Sequence, residues 1–299
     1  MGGNTIALLP GNALPEEKAL ELVLGALRDT HLACHEAGLV HPPSGPGRIP
    51  LGIVGRSSRK FITACGGLTQ VLGAAIGSGQ LAEVLGFGPS GPSRVVLETE
   101  AGDVALSVGT DAGEIRTETD LTPFLEETRQ GGVEEILLEG VRAVRAGKFL
   151  VVSADDLLDR FGKKEVAALA PRVRDALVKL QSRFLARYPQ ASLDFAVYDL
   201  HPERPGNSGR LVFPHWLPEG HVEPACGTGT IAVCAALELE GHLPGNETLL
   251  RFESGGGPDL GGPETTTVFL SAARGKIESI RFSHSKVELT SRGVVILQS

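Results

Sequence analysis

Ala225-Cys226-Gly227-Thr228-Gly229-Thr230 runs straight into Ile231-Ala232-Val233-Cys234-Ala235-Ala236-Leu237. Small residues ahead of an apolar run that lacks Pro and Gly predict a loop feeding a buried helix. Gly227 and Gly229 have no Cβ, so backbone N–H groups can converge on a ligand there. The unpaired N–H groups and the dipole of a helix start favour an anion. Cys226 stands where the same field stabilises a thiolate. One short segment therefore offers a carboxylate cradle beside an ionisable sulfur.

The design occurs twice. Ala64-Cys65-Gly66-Gly67-Leu68-Thr69-Gln70-Val71-Leu72-Gly73-Ala74-Ala75-Ile76 aligns with 225–237 at an offset of 161, and six of the thirteen positions are identical. Chance gives roughly one match in a segment of common residues. The match reads as an internal duplication in which each half contributes one helix start bearing a Cys. Around each motif the pattern is similar. Thr5–Leu9, Leu51–Val54 and Phe61–Thr63 read as strands, with an amphipathic helix from Pro15 to about His35. Arg94–Glu98, Val104–Val108 and Glu114–Glu118 form a meander with Gly-containing turns. Beyond Leu121 the composition changes. Glu126–Arg145 reads as helix, Phe149–Val152 as strand, and Ala154–Leu185 as helix-rich with a break at Pro171. Leu193–Tyr198, Arg210–Phe213, Leu249–Glu253, Thr266–Ser271, Ile277–Phe282, Val287–Leu289 and Val294–Leu297 read as strands. The expected architecture is mixed α/β (α+β): two similar domains, each a largely antiparallel sheet or barrel around a central helix, with a cleft between them. The first domain spans 1–120 and carries Cys65. The second spans 121–299 and carries Cys226, with the last strands, about 277–299, free to return to the first domain.

Composition narrows the functional classes. The net charge of −8 with no basic cluster argues against nucleic acid. No apolar run reaches 18 residues and no signal-peptide pattern is present, so neither a membrane span nor export is expected. Four cysteines in 299 residues do not make a disulfide framework and fit reduced thiols in a cytoplasm. The chain lacks H-E-x-x-H, paired C-x-x-C, the P-loop and G-x-S-x-G, so no metal and no cofactor is expected. The expected partner is a small-molecule carboxylate, and the sequence leaves room for a homodimer.

Paired Cys-Gly helix starts in two domains resemble the diaminopimelate epimerase / proline racemase group of cofactor-independent racemases and epimerases. The resemblance rests mainly on Ala225-Cys226-Gly227-Thr228-Gly229-Thr230. It extends to Ala64-Cys65-Gly66-Gly67, Met1-Gly2-Gly3-Asn4, Glu98–Asp103 and Val151–Asp156. It implies Cys65 and Cys226 as the catalytic pair, and Asn4, Gly66, Gly67, Gly227, Thr228, Gly229 and Glu223 as substrate contacts. The chain also departs from the pattern. Where the epimerases carry Gly-Asn-Pro-His, Gly147-Lys148-Phe149-Leu150 stands here. Where they place Gly-Glu-Thr before the second motif, His221-Val222-Glu223-Pro224 stands here. Both changes imply a substrate other than diaminopimelate. Inversion beside a carboxylate needs a base on one face and an acid on the other, and a thiolate with a thiol meets that need.

Plainer readings stand beside these. Cys226 can be a small core residue at a tight helix start. Cys34 and Cys234 read as core, the latter roughly 12 Å along the helix from Cys226. Asn4 can be a turn residue, Glu223 a helix-start charge, and His221 and His215-Trp216 solvated loop groups. Gly227-Thr228-Gly229-Thr230-Ile231-Ala232 also matches G-x-G-x-x-A, with Glu253 placed as a ribose-binding acid, which describes a dinucleotide-binding protein. Two further alternatives keep the fold: a double-bond isomerase of an unsaturated carboxylic acid, and a non-catalytic carboxylate binder.

Overall fold

The computed structural model describes residues 5–11, 15–28, 34–55, 59, 61–63, 65–87, 93–167, 169–189, 194–214, 222–223, 225–243, 245–254, 264–285 and 287–290. They fall into two compact units. One is formed by the chain up to Asp120 with residues beyond Ser285, the other by Leu121–Ser285.

The first unit runs β1 (Ile6–Pro10), α1 (Glu16–Arg28), β2 (Glu36–Val40), β3 (Arg48–Gly55), α2 (Gly66–Gly77), α3 (Ala82–Leu85), β4 (Arg94–Thr99), β5 (Gly102–Asp111) and β6 (Glu114–Asp120). Strands neighbour one another in chain order. β1 is parallel to β2, β2 antiparallel to β3 and β3 parallel to β4, and the last two pairings are antiparallel. Helix α2 touches β1 and β2 at one end of this order and β5 and β6 at the other, so the sheet curls around it. Gly66 through Ile76 are all buried, as a helix apolar on every side requires. The amphipathic α1 buries only one stripe, Ala19, Val23, Ala26 and Leu27, in a cluster that also takes in Cys34.

The second unit opens with α4 (Thr122–Gln130) and the hairpin β7 (Val133–Leu138) and β8 (Val141–Ala146). It continues through β9 (Phe149–Ser153), α5 (Ala154–Leu158), α6 (Lys163–Ala167), α7 (Pro171–Arg187), β10 (Asp194–Asp199), β11 (Gly209–Pro214), β12 (Val222–Glu223) and α8 (Gly227–Leu239). It ends with β13 (Glu247–Ser254), β14 (Thr265–Ala273) and β15 (Lys276–His284). From β9 onward the pairing repeats that of the first unit: β9 parallel to β10, β10 antiparallel to β11, β11 parallel to β13, then two antiparallel pairs. Helices α5–α7 take the place of α1, and α8 takes the place of α2. Strands β7–β10 and β15 surround α8, whose residues from Gly229 to Leu237 are buried. The duplication read from thirteen residues thus extends to the strand order of the described structure.

Four expectations are corrected. Glu126–Arg145 is not one helix: α4 stops at Gln130, Gly132 turns with φ +92°, and a hairpin follows. Its turn, Glu139-Gly140, has both central residues at positive φ, the twist that suits a two-residue hairpin. Helix α1 is described as far as Arg28, Cys34 and His35 are not helical, and the unpredicted β2 follows from Glu36. Of Phe61–Thr63 only Phe61 pairs, as an isolated bridge to Val54. Val287–Leu289 is not strand, and Val294–Leu297 lies outside the described residues. Among the described residues no helix is long and apolar enough to cross a membrane.

A buried polar ladder joins β6 to the first turn of α2. The Thr117 hydroxyl donates to Gln70 Oε1 (2.6 Å), Gln70 Nε2 donates to Thr119 Oγ1 (2.7 Å), Thr119 and Thr69 share a hydrogen bond (2.9 Å), and Thr69 donates to the Gly66 carbonyl (2.7 Å). Gln70 and Thr69 are fully buried. The duplicated position of Gln70 is Ile231, an apolar residue equally buried. Gln70→Ile therefore leaves buried hydroxyls without their bonds, and an urea-melt loss of about 2–3 kcal/mol is expected. A change below about 0.5 kcal/mol would show the ladder to be energetically idle.

Candidate active site

Each motif cysteine is the N-cap of its unit's buried helix, with extended backbone that turns the chain into the first helical turn: φ −149°, ψ 105° at Cys65 and φ −138°, ψ 122° at Cys226. Thr69 and Thr230, equivalent in the duplication, both turn their hydroxyls onto first-turn carbonyls, Thr69 on Gly66 and Thr230 on Cys226 at 2.6 Å. Neither helix has an acidic residue in its first turn, so nothing on the helix itself competes with an incoming anion for the dipole.

The two sulfurs differ in setting. Cys65 is buried, 5% exposed. Its Sγ accepts the N–H of Leu68 at 3.2 Å and donates to Glu36 Oε2 at 2.6 Å. Cys226 is half-buried, and its Sγ lies 3.5 Å from the Thr228 hydroxyl. Glu223 is buried on β12, which pairs with β11. Gly66, Gly67 and Gly227 are buried first-turn residues and Thr228 is half-buried. Asn4, His215-Trp216 and His221 lie outside the described residues.

Gly229 also has a packing reason. A Cβ there would stand 2.5 Å from the fully buried Phe213 ring and 3.2 Å from Phe149. This glycine lets α8 lie directly on β11 and β9. Cys234 is fully buried, and burial, with the Glu238 charge adding, pushes its thiol up to about 12. Glu36 is the site residue that sequence reasoning missed. It opens a five-residue strand, Glu36-Ala37-Gly38-Leu39-Val40, whose Glu, Ala and Gly weaken the strand signal.

The dinucleotide alternative loses its structural context. That fingerprint needs a strand leading into the helix and a parallel strand after it. Here the two-residue β12 is antiparallel to β11, and β11 is parallel to β13. Glu253, buried, is occupied within the protein: its carboxylate accepts the N–H groups of Glu203 (3.0 Å) and Arg204 (2.7 Å) and Asn207 Nδ2 (2.9 Å). Burial opposes its charge, but these donors hold it below the ordinary carboxyl range.

The sequence matches no protein-family profile and no curated protein. Solved structures do match. A hydroxyproline epimerase from Agrobacterium vitis with bound trans-4-hydroxy-L-proline is similar at a TM-score of 0.57 and 18% identity, over 95% of this chain and 86% of that one. A probable proline racemase from Agrobacterium radiobacter with bound carbonate is similar at 0.54 and 16%, over 97% and 91%. A methylitaconate Δ-isomerase is similar at 0.54 and 15%, over 94% and 90%. The protein shares the proline racemase-like fold of these structures.

Proposed function

We propose that the protein is a metal- and pyridoxal-independent racemase or epimerase that inverts the carbon α to the carboxylate of an amino or imino acid. The observation that carries this reading is the equivalent placement of Cys65 and Cys226. Each is the N-cap of a largely buried helix, and among the described residues the two units share a strand order. In the proposed reaction one cysteine, as thiolate, takes the α-proton. The negative charge that develops on the substrate carboxylate is met by first-turn N–H groups of α2 and α8, fixed in place before the reaction starts. The other cysteine, as thiol, returns a proton to the opposite face, and the roles exchange with direction. Asn4, Glu223 and the motif residues Gly66, Gly67, Gly227, Thr228 and Gly229 are the proposed substrate contacts.

The test is solvent deuterium incorporation, read by chiral chromatography and mass spectrometry, over a panel of amino acids, hydroxyprolines and unsaturated dicarboxylates. Deuterium at the α-carbon of an inverted product is expected, unchanged by EDTA and without added pyridoxal phosphate. Dependence on either would sink the reading. Exchange confined to the unsaturated acids would replace it with the double-bond isomerase.

A further inference from the structure

The hydrogen bond from Cys65 Sγ to Glu36 Oε2 distinguishes the two thiols of the proposed pair. We infer that Glu36 is a positioning residue that keeps Cys65 protonated in the resting protein, so that Cys65 is the acid in the direction that starts from that state and the base in the reverse; this rests on the racemase reading above. A carboxyl ordinarily titrates about four pH units below a thiol, so a proton shared between them stays on sulfur. The carboxylate 2.6 Å away then opposes formation of a second negative charge on Cys65. Its bond also sets the S–H direction, while the Leu68 N–H occupies a sulfur lone pair from the helix side.

Glu36 is the charged group seen bonded to the Cys65 sulfur, and the described cation Arg59 follows Gly55, its N–H on the Gly55 carbonyl at 3.0 Å. Strand β1 and helix α2 carry no titratable side chain, and Glu36 alone does so on β2. On β3 the one charged residue, Arg48, lies at the opposite end from Gly55, which pairs with Glu36; Arg48 is bound to Glu98 and Asp103 at 2.7 Å each. His35, next in sequence, takes the Thr5 N–H on Nδ1 at 3.2 Å.

In the step itself the Cys65 S–H bond breaks, its electron pair stays on sulfur, and the proton forms the new C–H bond at the planar carbon. The pair released by the earlier C–H cleavage supplies that bond. The thiolate left behind keeps the Leu68 N–H, and the neighbouring carboxylate favours its reprotonation from solvent or from the next substrate.

The test is alkylation by iodoacetamide across pH, with the rate at each cysteine read by peptide mapping. At pH 7, Glu36→Gln is expected to raise the Cys65 rate about tenfold, the equivalent of one pH unit, whereas Glu36→Asp keeps the slow rate. In the unaltered protein the Cys65 rate is expected to go on rising above pH 8.5. A slower or unchanged Cys65 rate in Glu36→Gln overturns the inference, because a carboxylate acting as base to the thiol would give that sign. If that variant does not fold, the unaltered protein decides, and a plateau reached by pH 7 overturns it. Alkylation reads the thiol without turnover, so its outcome stands apart from the fate of the racemase reading.

Discussion

Cys65→Ser and Cys226→Ser are each expected to lower α-carbon inversion by about 10²–10⁴-fold, the ordinary worth of one placed proton-transfer group. The serine hydroxyl fills nearly the same space and can still cap the helix, so folding is retained while an ionisable sulfur is lost. The two substitutions should not multiply. A proton must be taken from one face and given on the other, so losing either group stops the exchange, and the double variant should resemble the worse single one. Cys34→Ala and Cys234→Ala serve as controls. Both sulfurs are buried in the core, and turnover is expected to stay near normal with a small drop in melting temperature. A Cys226→Ser variant with unchanged inversion would remove Cys226 from the mechanism.

The second large effect lies under α8. Phe213 is fully buried on β11 with its ring against Gly229. Phe213→Ala is expected to cost about 3–5 kcal/mol from lost burial and the remaining cavity. Gly229→Ala alone should cost about 1–2 kcal/mol, because driving a methyl into a closely packed ring outweighs the roughly 1 kcal/mol of helix propensity gained. In the Phe213→Ala background the obstacle is gone and the same methyl should stabilise. The double-mutant cycle should therefore show about 2 kcal/mol of coupling, read from denaturant melts. Additivity within about 0.5 kcal/mol would mean that the ring and the helix do not press on one another.

The parts of the fold that the sequence announced are those written in strong local chemistry. The two Cys-Gly helix starts stand where a small residue must give way to an apolar helix. The break at Pro171 marks the first residue of α7. The turns at Gly102 and Gly113 separate the strands β4, β5 and β6. The reading of 126–145 failed because Glu, Leu and Arg pull towards helix, while the pair Gly131-Gly132 and the Glu139-Gly140 turn were the stronger local signal. Strand β2 was missed for the opposite reason. Its residues have little strand preference, and its place comes from pairing with β1 and β3. Glu36 was hidden with it, because a carboxylate 29 positions from a cysteine says nothing until a strand brings them together. The glycine at 229 was legible, but its packing against Phe213, sixteen residues earlier, was not.

The repeated strand order also limits what tuning of one half can achieve. Two halves of one chain can drift apart, as Gln70 and Ile231 have. If the substrate has a single stereocentre, however, its two forms have equal free energy, and the equilibrium constant between them is one. In the proposed reaction any change confined to one unit must then alter kcat/KM for both enantiomers by the same factor, and only kcat and KM separately can diverge. A second stereocentre makes the two forms diastereomers, so their kcat/KM values need not be equal, although a substitution still scales both by the same factor. Unequal kcat/KM values measured from the two sides would therefore show that the substrate carries a further stereocentre, whichever cysteine is altered.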